Sequence, residues 1–361
     1  MTRPPQLLCL SAISLLMALP IAKGQQPEKA APPEARPRFR EVLLNYENVE
    51  GATPTQLPVV GTFDQMLCDD SGSVYLRPML NLDQGAFANP VVRIDRKGTT
   101  QAFGTTGIPG MRRDTYIFAY TVDPSGRVFE LVRTVDEAAD EMFLVSFSRS
   151  GEFLTKSRFE SEFRPHSFVA LPTDAFLISG VRQKQGVPRT HEAVVGIFGP
   201  DARLKRSLKD AKDDRFTPVS SPSGNSAKVR NPAIELGSAK VGPDGNLYVL
   251  KSSDPAVVEV FNLAGRQLRA LKLAPPFPKA QSHDLFVTPD RVVVMYQRTK
   301  DSAEVKEPVV FAEYSLQTAE PLVAHLPRGK GVVACFDASD ATVLVSGKDG
   351  RFGLLRVPAQ P

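Results

Sequence analysis

From residue 39 onward, apolar stretches run into short polar turns, and an alternating apolar–polar stretch follows each turn. The clearest copies are Leu67 to Leu76 (LCDDSGSVYL), Tyr120 to Leu131 (YTVDPSGRVFEL) and Ala239 to Leu250 (AKVGPDGNLYVL). Weaker copies run from Val169 to Ile178, from Phe286 to Met295 and from Cys335 to Val345. A period of two marks half-buried strands. A turn with Asp before Gly marks a hairpin, because Asp caps the turn and Gly accepts a positive φ. A second hairpin follows each of the first five copies, at Val91–Phe103, Met142–Leu154, Ala193–Leu204, Ala256–Leu268 and Val309–Val323. After the sixth copy a single stretch, Arg351–Val357, remains.

The first-hairpin turns begin near Asp69, Asp123, Thr173, Pro243, Pro289 and Ala338. A four-stranded unit recurring at about fifty residues is a propeller blade. The expected fold is therefore all-β, a six-bladed β-propeller closed by an N-terminal strand that completes the last blade. The leftover stretch Phe39–Tyr46 is expected to supply that outer strand of blade six, without which the sheet would keep an open edge. Helix content should be near zero, since no segment sustains a 3.6-residue stripe.

The run from Glu235 to Leu250, continuing through Val257–Leu268, resembles an NHL repeat, and the chain is similar to six-bladed propellers of the NHL-repeat-like or TolB-like type. The resemblance implies the fold. That superfold carries sensors, scaffolds, lactonases and lyases, so it implies little about activity.

In a meander of four strands, A–B and C–D turns share one face of the disc, and B–C and D–A connections share the other. The long segments are all of the second kind: 77–90, 133–141, 183–192 and 298–307 between strands of a blade, and 104–115, 207–233 and 274–282 between blades. Such loops carry function on a rigid scaffold, so this face is the expected binding face. The segment 207–233 reads as a solvated flap.

Residues just before each inner strand should ring the channel mouth on that face. The candidate ligand-binding set is Asp64, Arg113, His166, Glu235 and His283. Arg112, Asp114, Asp284, Arg328 and Lys330 stand beside them. His with Asp or Glu around a cavity suits a divalent metal or acid–base work. The plainer reading makes them polar strand starts. His191 and His325 read as solvated. The sequence holds no Gly-x-Ser-x-Gly elbow, Ser-x-x-Lys motif, phosphate-binding glycine loop or His-Glu-x-x-His.

Composition narrows the setting. The formal charge is +4, and removing the first 24 residues, with Arg3 and Lys23 and no acid, leaves +2. That bias is too weak to imply nucleic acid or an anionic membrane. Residues 1–24 read as a cleaved signal peptide: a basic start, an apolar run from Leu7 to Leu19, then Ala22-Lys23-Gly24. The run is short of the ~20 residues that span a bilayer. Residues 25–38 read as a disordered Pro-rich leader, and 39–361 as the propeller. Cys68 and Cys335 lie on inner strands of neighbouring blades but are offset by a residue relative to their turns, which favours two buried thiols over a disulfide.

The expectation is thus an exported, periplasmic or extracellular propeller. It acts as a binding or scaffolding module through its long-loop face, takes a protein or small ligand there, and uses no cofactor, nucleic acid or membrane span. The alternative is a metal-dependent hydrolase or lactonase of the six-bladed class.

Overall fold

The computed structural model describes residues 38–48, 50–58, 62–79, 89–111, 115–135, 140–183, 191–208, 239–251, 253–298, 309–347 and 351–359. Every regular element among them is a β-strand. Two strands come first, β1 (Arg40–Asn45) and β2 (Thr53–Pro58). Blade one is β3 (Thr62–Cys68), β4 (Val74–Met79), β5 (Val91–Ile94) and β6 (Thr100–Phe103). Blade two is β7 (Thr115–Val122), β8 (Val128–Val135), β9 (Asp140–Phe147) and β10 (Phe153–Arg158). Blade three is β11 (Phe163–Ala170), β12 (Phe176–Gln183), β13 (His191–Phe198) and β14 (Leu204–Ser207). Blade four is β15 (Ala239–Val241), β16 (Leu247–Lys251), β17 (Ala256–Phe261) and β18 (Gln267–Leu273). Blade five contains β19 (Ala280–Val287), β20 (Arg291–Arg298), β21 (Val310–Ser315) and β22 (Pro321–Arg328). Blade six contains β23 (Gly331–Phe336), β24 (Asp340–Ser346) and β25 (Arg351–Pro358).

The inner strands close a circle, each touching the next from β3 through β7, β11, β15, β19 and β23 back to β3. The expected six-bladed propeller is therefore the fold. Its blades are packed through both faces, and strand alternation assigns each residue a neighbour. On β8, Val128 and Val132 pack toward blade one, while Phe129 and Leu131 pack toward blade three. The described core accordingly divides into clusters, one at each blade-to-blade interface.

The turns form as their residues dictate. Asp69 Oδ1 accepts the N–H groups of Ser71 and Ser73 at 2.9 and 3.0 Å. Gly72, Gly126 and Gly245 take φ of 72°, 86° and 75°, where a β-carbon would be strained. Arg127 joins turns of adjacent blades, reaching Asp123 at 2.6 Å and Asp174 at 2.5 Å.

Ring closure differs from the expectation in which strand performs it. The outer strand of blade six is β2, antiparallel to β25, with Thr53 opposite Leu354 and Pro54 opposite Gly353. Thr55 Oγ1 donates to the Phe352 carbonyl at 2.8 Å. Two prolines and few apolar residues hide this segment from a pattern search, yet proline is tolerated on an edge strand. The more apolar β1 instead adds a fifth strand to blade five, parallel to β22, with Val42 opposite His325.

That placement also corrects His325. It is fully buried, because β1 turns β22 from an edge into an interior strand. Its Nε2 lies 2.8 Å from Glu313 Oε1, and Arg291 Nη1 donates to Glu313 Oε2 at 2.8 Å. A buried carboxylate needs such partners.

The cysteines are corrected too. Cys68 and Cys335 form a disulfide across blades one and six, with Cα atoms 6.2 Å apart. Neighbouring blades present opposite faces to each other, so residues that meet come from positions of opposite parity along their strands. The one-residue offset is what pairing requires. Cys335 stands opposite Thr342, beside Leu344, and joins Cys68, Val74 and Leu76 in one cluster.

In the chain-entropy picture a crosslink closing so long a loop stabilises by up to about 5 kcal/mol. Cys68→Ser should lower the denaturant midpoint, and reduction of the wild-type protein should lower it to the same value. A reduced wild type as stable as the oxidised one would show that the cystine does not hold this seam.

Candidate functional site

An extra residue interrupts the ladder of five inner strands. The register slips between Phe63 and Met66, Ile117 and Ala119, Pro165 and Ser167, Ser282 and Asp284, and Val333 and Cys335. Such bulges re-aim a side chain away from the sheet's regular alternation. The bulged residues are Phe118 in blade two, His166 in blade three and His283 in blade five.

These three share one position. The residues whose N–H closes the first hairpin include Asp123, Leu171 and Thr288, and Asp69 and Asp337 do the same in blades one and six. Counting five residues back reaches Phe118, His166, His283, Asp64 and Val332. Phe118 is 38% exposed and Val332 49%, and both histidines are exposed. Large side chains bared on the innermost strands leave the blade-to-blade packing.

His166 meets the edge of Phe118, with ring centroids 6.1 Å apart. Its ring reaches open space, yet the surrounding walls withhold water and lower its pKa from the ordinary histidine value. Beside His283, burial pushes the Asp284 carboxyl above the usual carboxylate range, against the opposing pull of Lys240, the Leu285 N–H and His283. Lys240 comes from blade four, so blades four and five together make a polar wall. Ser167 adds a hydroxyl 3.0 Å from that of Ser179.

Of the five residues expected at the mouth, His166 and His283 occupy equivalent bulges, and Asp64 holds the matching place on β3, its side chain outside the described residues. Arg113 and Glu235 lie outside the described residues altogether, as do most of the long loops, the segment 209–238 among them. Among the described residues no group of three His, Cys, Asp or Glu side chains converges as a metal set.

Sequence reasoning missed Phe118, although the same count from the turn that aligns the histidines reaches it. It also missed what lies behind it. Arg77 on β4 is fully buried, and its Nη1 donates to the carbonyl of Ile117, the residue preceding the bulge. Glu130 on β8 is buried at 0% exposure, and neither carboxyl oxygen has a hydrogen-bond partner. Burial pushes its pKa up to about 8, although Arg77 pulls it down.

No protein-family model and no curated protein matches the chain. Solved structures are similar in course. An exported protein of Bacteroides fragilis, termed putative, is 8% identical over 89% of this chain and 99% of its own, with a TM-score of 0.47. A protein of unknown function from Dyadobacter fermentans is 11% identical over 89% and 98%, with a TM-score of 0.44. YCF48 bound to a D1 peptide is 12% identical over 90% and 98%, with a TM-score of 0.39. No helix among the described residues is long and apolar enough to cross a membrane.

Glu130 sets a pH dependence of stability. Its folded pKa is raised above the unfolded value of 4.5 toward about 8. The native state therefore holds the proton more tightly, and its stability falls as pH rises through that window, by an amount on the order of a few kcal/mol. Glu130→Gln should flatten the decline. Denaturation curves at pH 6 and 9 that shift equally in mutant and wild type would contradict this assignment.

Proposed function

We propose that this chain is an exported binding or scaffolding module that engages a protein or small ligand at the axis of its propeller. The observation that carries the reading is the shared bulge position. Keeping large, partly bared side chains such as Phe118, His166 and His283 on the innermost strands has no packing benefit, whereas aromatic and imidazole groups at a concave mouth suit recognition. Asp64 completes the same ring by count, and Arg113 and Glu235, outside the described residues, are the further members that the sequence reading assigns to it.

Export has separate support. The disulfide between Cys68 and Cys335 belongs to an oxidising compartment such as the periplasm or the cell exterior, and residues 1–24 have the composition of a signal peptide. An NHL-like ancestry remains our reading for blade four. There Asp244 accepts from Asn246 N–H and Tyr248 Oη, as Asp69 does from Tyr75 in blade one.

Three measurements test this reading. The protein from an exporting host should have the mass of a chain beginning at Gln25; a retained residue 1 would overturn export with cleavage. A photo-crosslinking residue at Phe118 should give a discrete adduct in an extract of the native cells, and one at Leu268, exposed on the outer strand of blade four, should give none. Equal labelling at both positions would refute an axial site. A stoichiometric divalent metal whose removal abolishes a hydrolysis would replace the module with the metal-dependent hydrolase.

A further inference from the structure

Glu130 projects from β8 on the face turned to blade one. Its cross-strand neighbours are Tyr120 on β7 and Val145 on β9, with Val128 and Val132 along its own strand. Tyr75 and Arg77 approach from β4. Among the described residues, the titratable and charged groups facing this carboxyl are Tyr120, Tyr75 and Arg77. Tyr120 is committed to the carbonyls of Gln65 and Tyr75, and Tyr75 to Asp69 and the Gly126 carbonyl. Asp64, with Gln65, stands across the β3–β4 ladder from Arg77.

Two of the groups that draw on Arg77 bear on the bulge. One is the carbonyl of Ile117, which it already serves and which anchors the backbone where Phe118 bulges out of the ladder. The other is the unpartnered carboxyl of Glu130. A neutral carboxyl makes a weak claim. A carboxylate sealed from water makes a strong one, because a buried charge without a donor is far more unfavourable than a carbonyl left with one bond fewer.

We propose that Glu130 and Arg77 form a proton-controlled latch on the axial site: protonated Glu130 leaves Arg77 on the Ile117 carbonyl and holds the Phe118 bulge, and ionised Glu130 draws Arg77 off and releases it. The latch lies behind the channel wall and works without regard to which ligand the channel takes, so it stands or falls separately from the binding reading. The balance is simple: one proton leaves the carboxyl for solvent, and one guanidinium hydrogen bond moves from a carbonyl to a carboxylate. The elevated Glu130 pKa, about 8, places the change in the mildly alkaline range.

The chain contains no tryptophan, so Phe118→Trp supplies a single reporter at the bulge. Its emission maximum, followed from pH 6 to 9.5 in the full chain, should move once, with a midpoint near 8. The shift should vanish in the Phe118→Trp, Glu130→Gln protein. Circular dichroism at both extremes should match, so that the change is local and not unfolding. A transition that survives Glu130→Gln, or that disappears with Asp64→Asn while Glu130 is intact, would overturn the proposal. A flat emission in the parent reporter would do the same. Should Glu130→Gln fail to fold, Arg77→Lys replaces it. A shorter, more mobile donor should then displace the midpoint, and an unmoved midpoint counts against the latch.

Discussion

Everything in this molecule depends on bringing the last blade back to the first. Blades bury their apolar faces only against neighbours, so a ring missing one contact would bare two faces at once. The chain secures that contact twice. At the rim, β2 completes blade six beside β25. Near the axis, the cystine ties β3 to β23. At the outer edge of blade five, β1 packs Leu44 and Tyr46 into the neighbouring interface of blades five and six. The chain crosses from one blade to the next between β1 and β2, so the N-terminal segment spans the junction of blades five and six as well as completing the ring.

A second theme is ionisable groups in the interior. Glu130, Glu259 and Glu313 are all buried, and each is treated differently. Glu313 is satisfied by His325 and Arg291, and Glu259 receives Lys251 at 3.1 Å. Glu130 alone among these three has neither oxygen bonded. Such an arrangement is unfavourable if the group is charged and tolerable if it is neutral, which is why the proton on Glu130 has consequences beyond its own site.

The architecture was legible because it rests on local signals: Asp69, Gly72 and their counterparts punctuate the strands, and the period counts the blades. What escaped was long-range. Val42, Leu43 and Leu44 made β1 look like the closing strand, whereas the proline-bearing β2 did the closing, since an edge position asks little of a sequence. His325 was misread for the same reason. The cysteines were misjudged by treating parity within one strand as if it applied across a blade boundary. Phe118 was within reach of a count from the turn, and Glu130 within reach of its own oddity, a carboxyl set in the apolar run Val128-Phe129-Glu130-Leu131-Val132. Arg113 and Glu235 follow a rule about strand starts, and the sequence around each, outside the described residues, lacks the periodicity from which position is inferred.

The cystine has a mechanical consequence. Blades two to four, and blade five apart from β1, lie between Cys68 and Cys335 in the chain. A pull applied to β1 and to the end of β25 would pass through the sulfur–sulfur bond, and the bracketed blades would bear no tension along their strands. Only the short segments outside the bracket could pay out, at roughly 3.5 Å per residue. Stretched by its ends, the oxidised propeller would shed its seam strands and then stop, as a coil of rope does when its loops are knotted together.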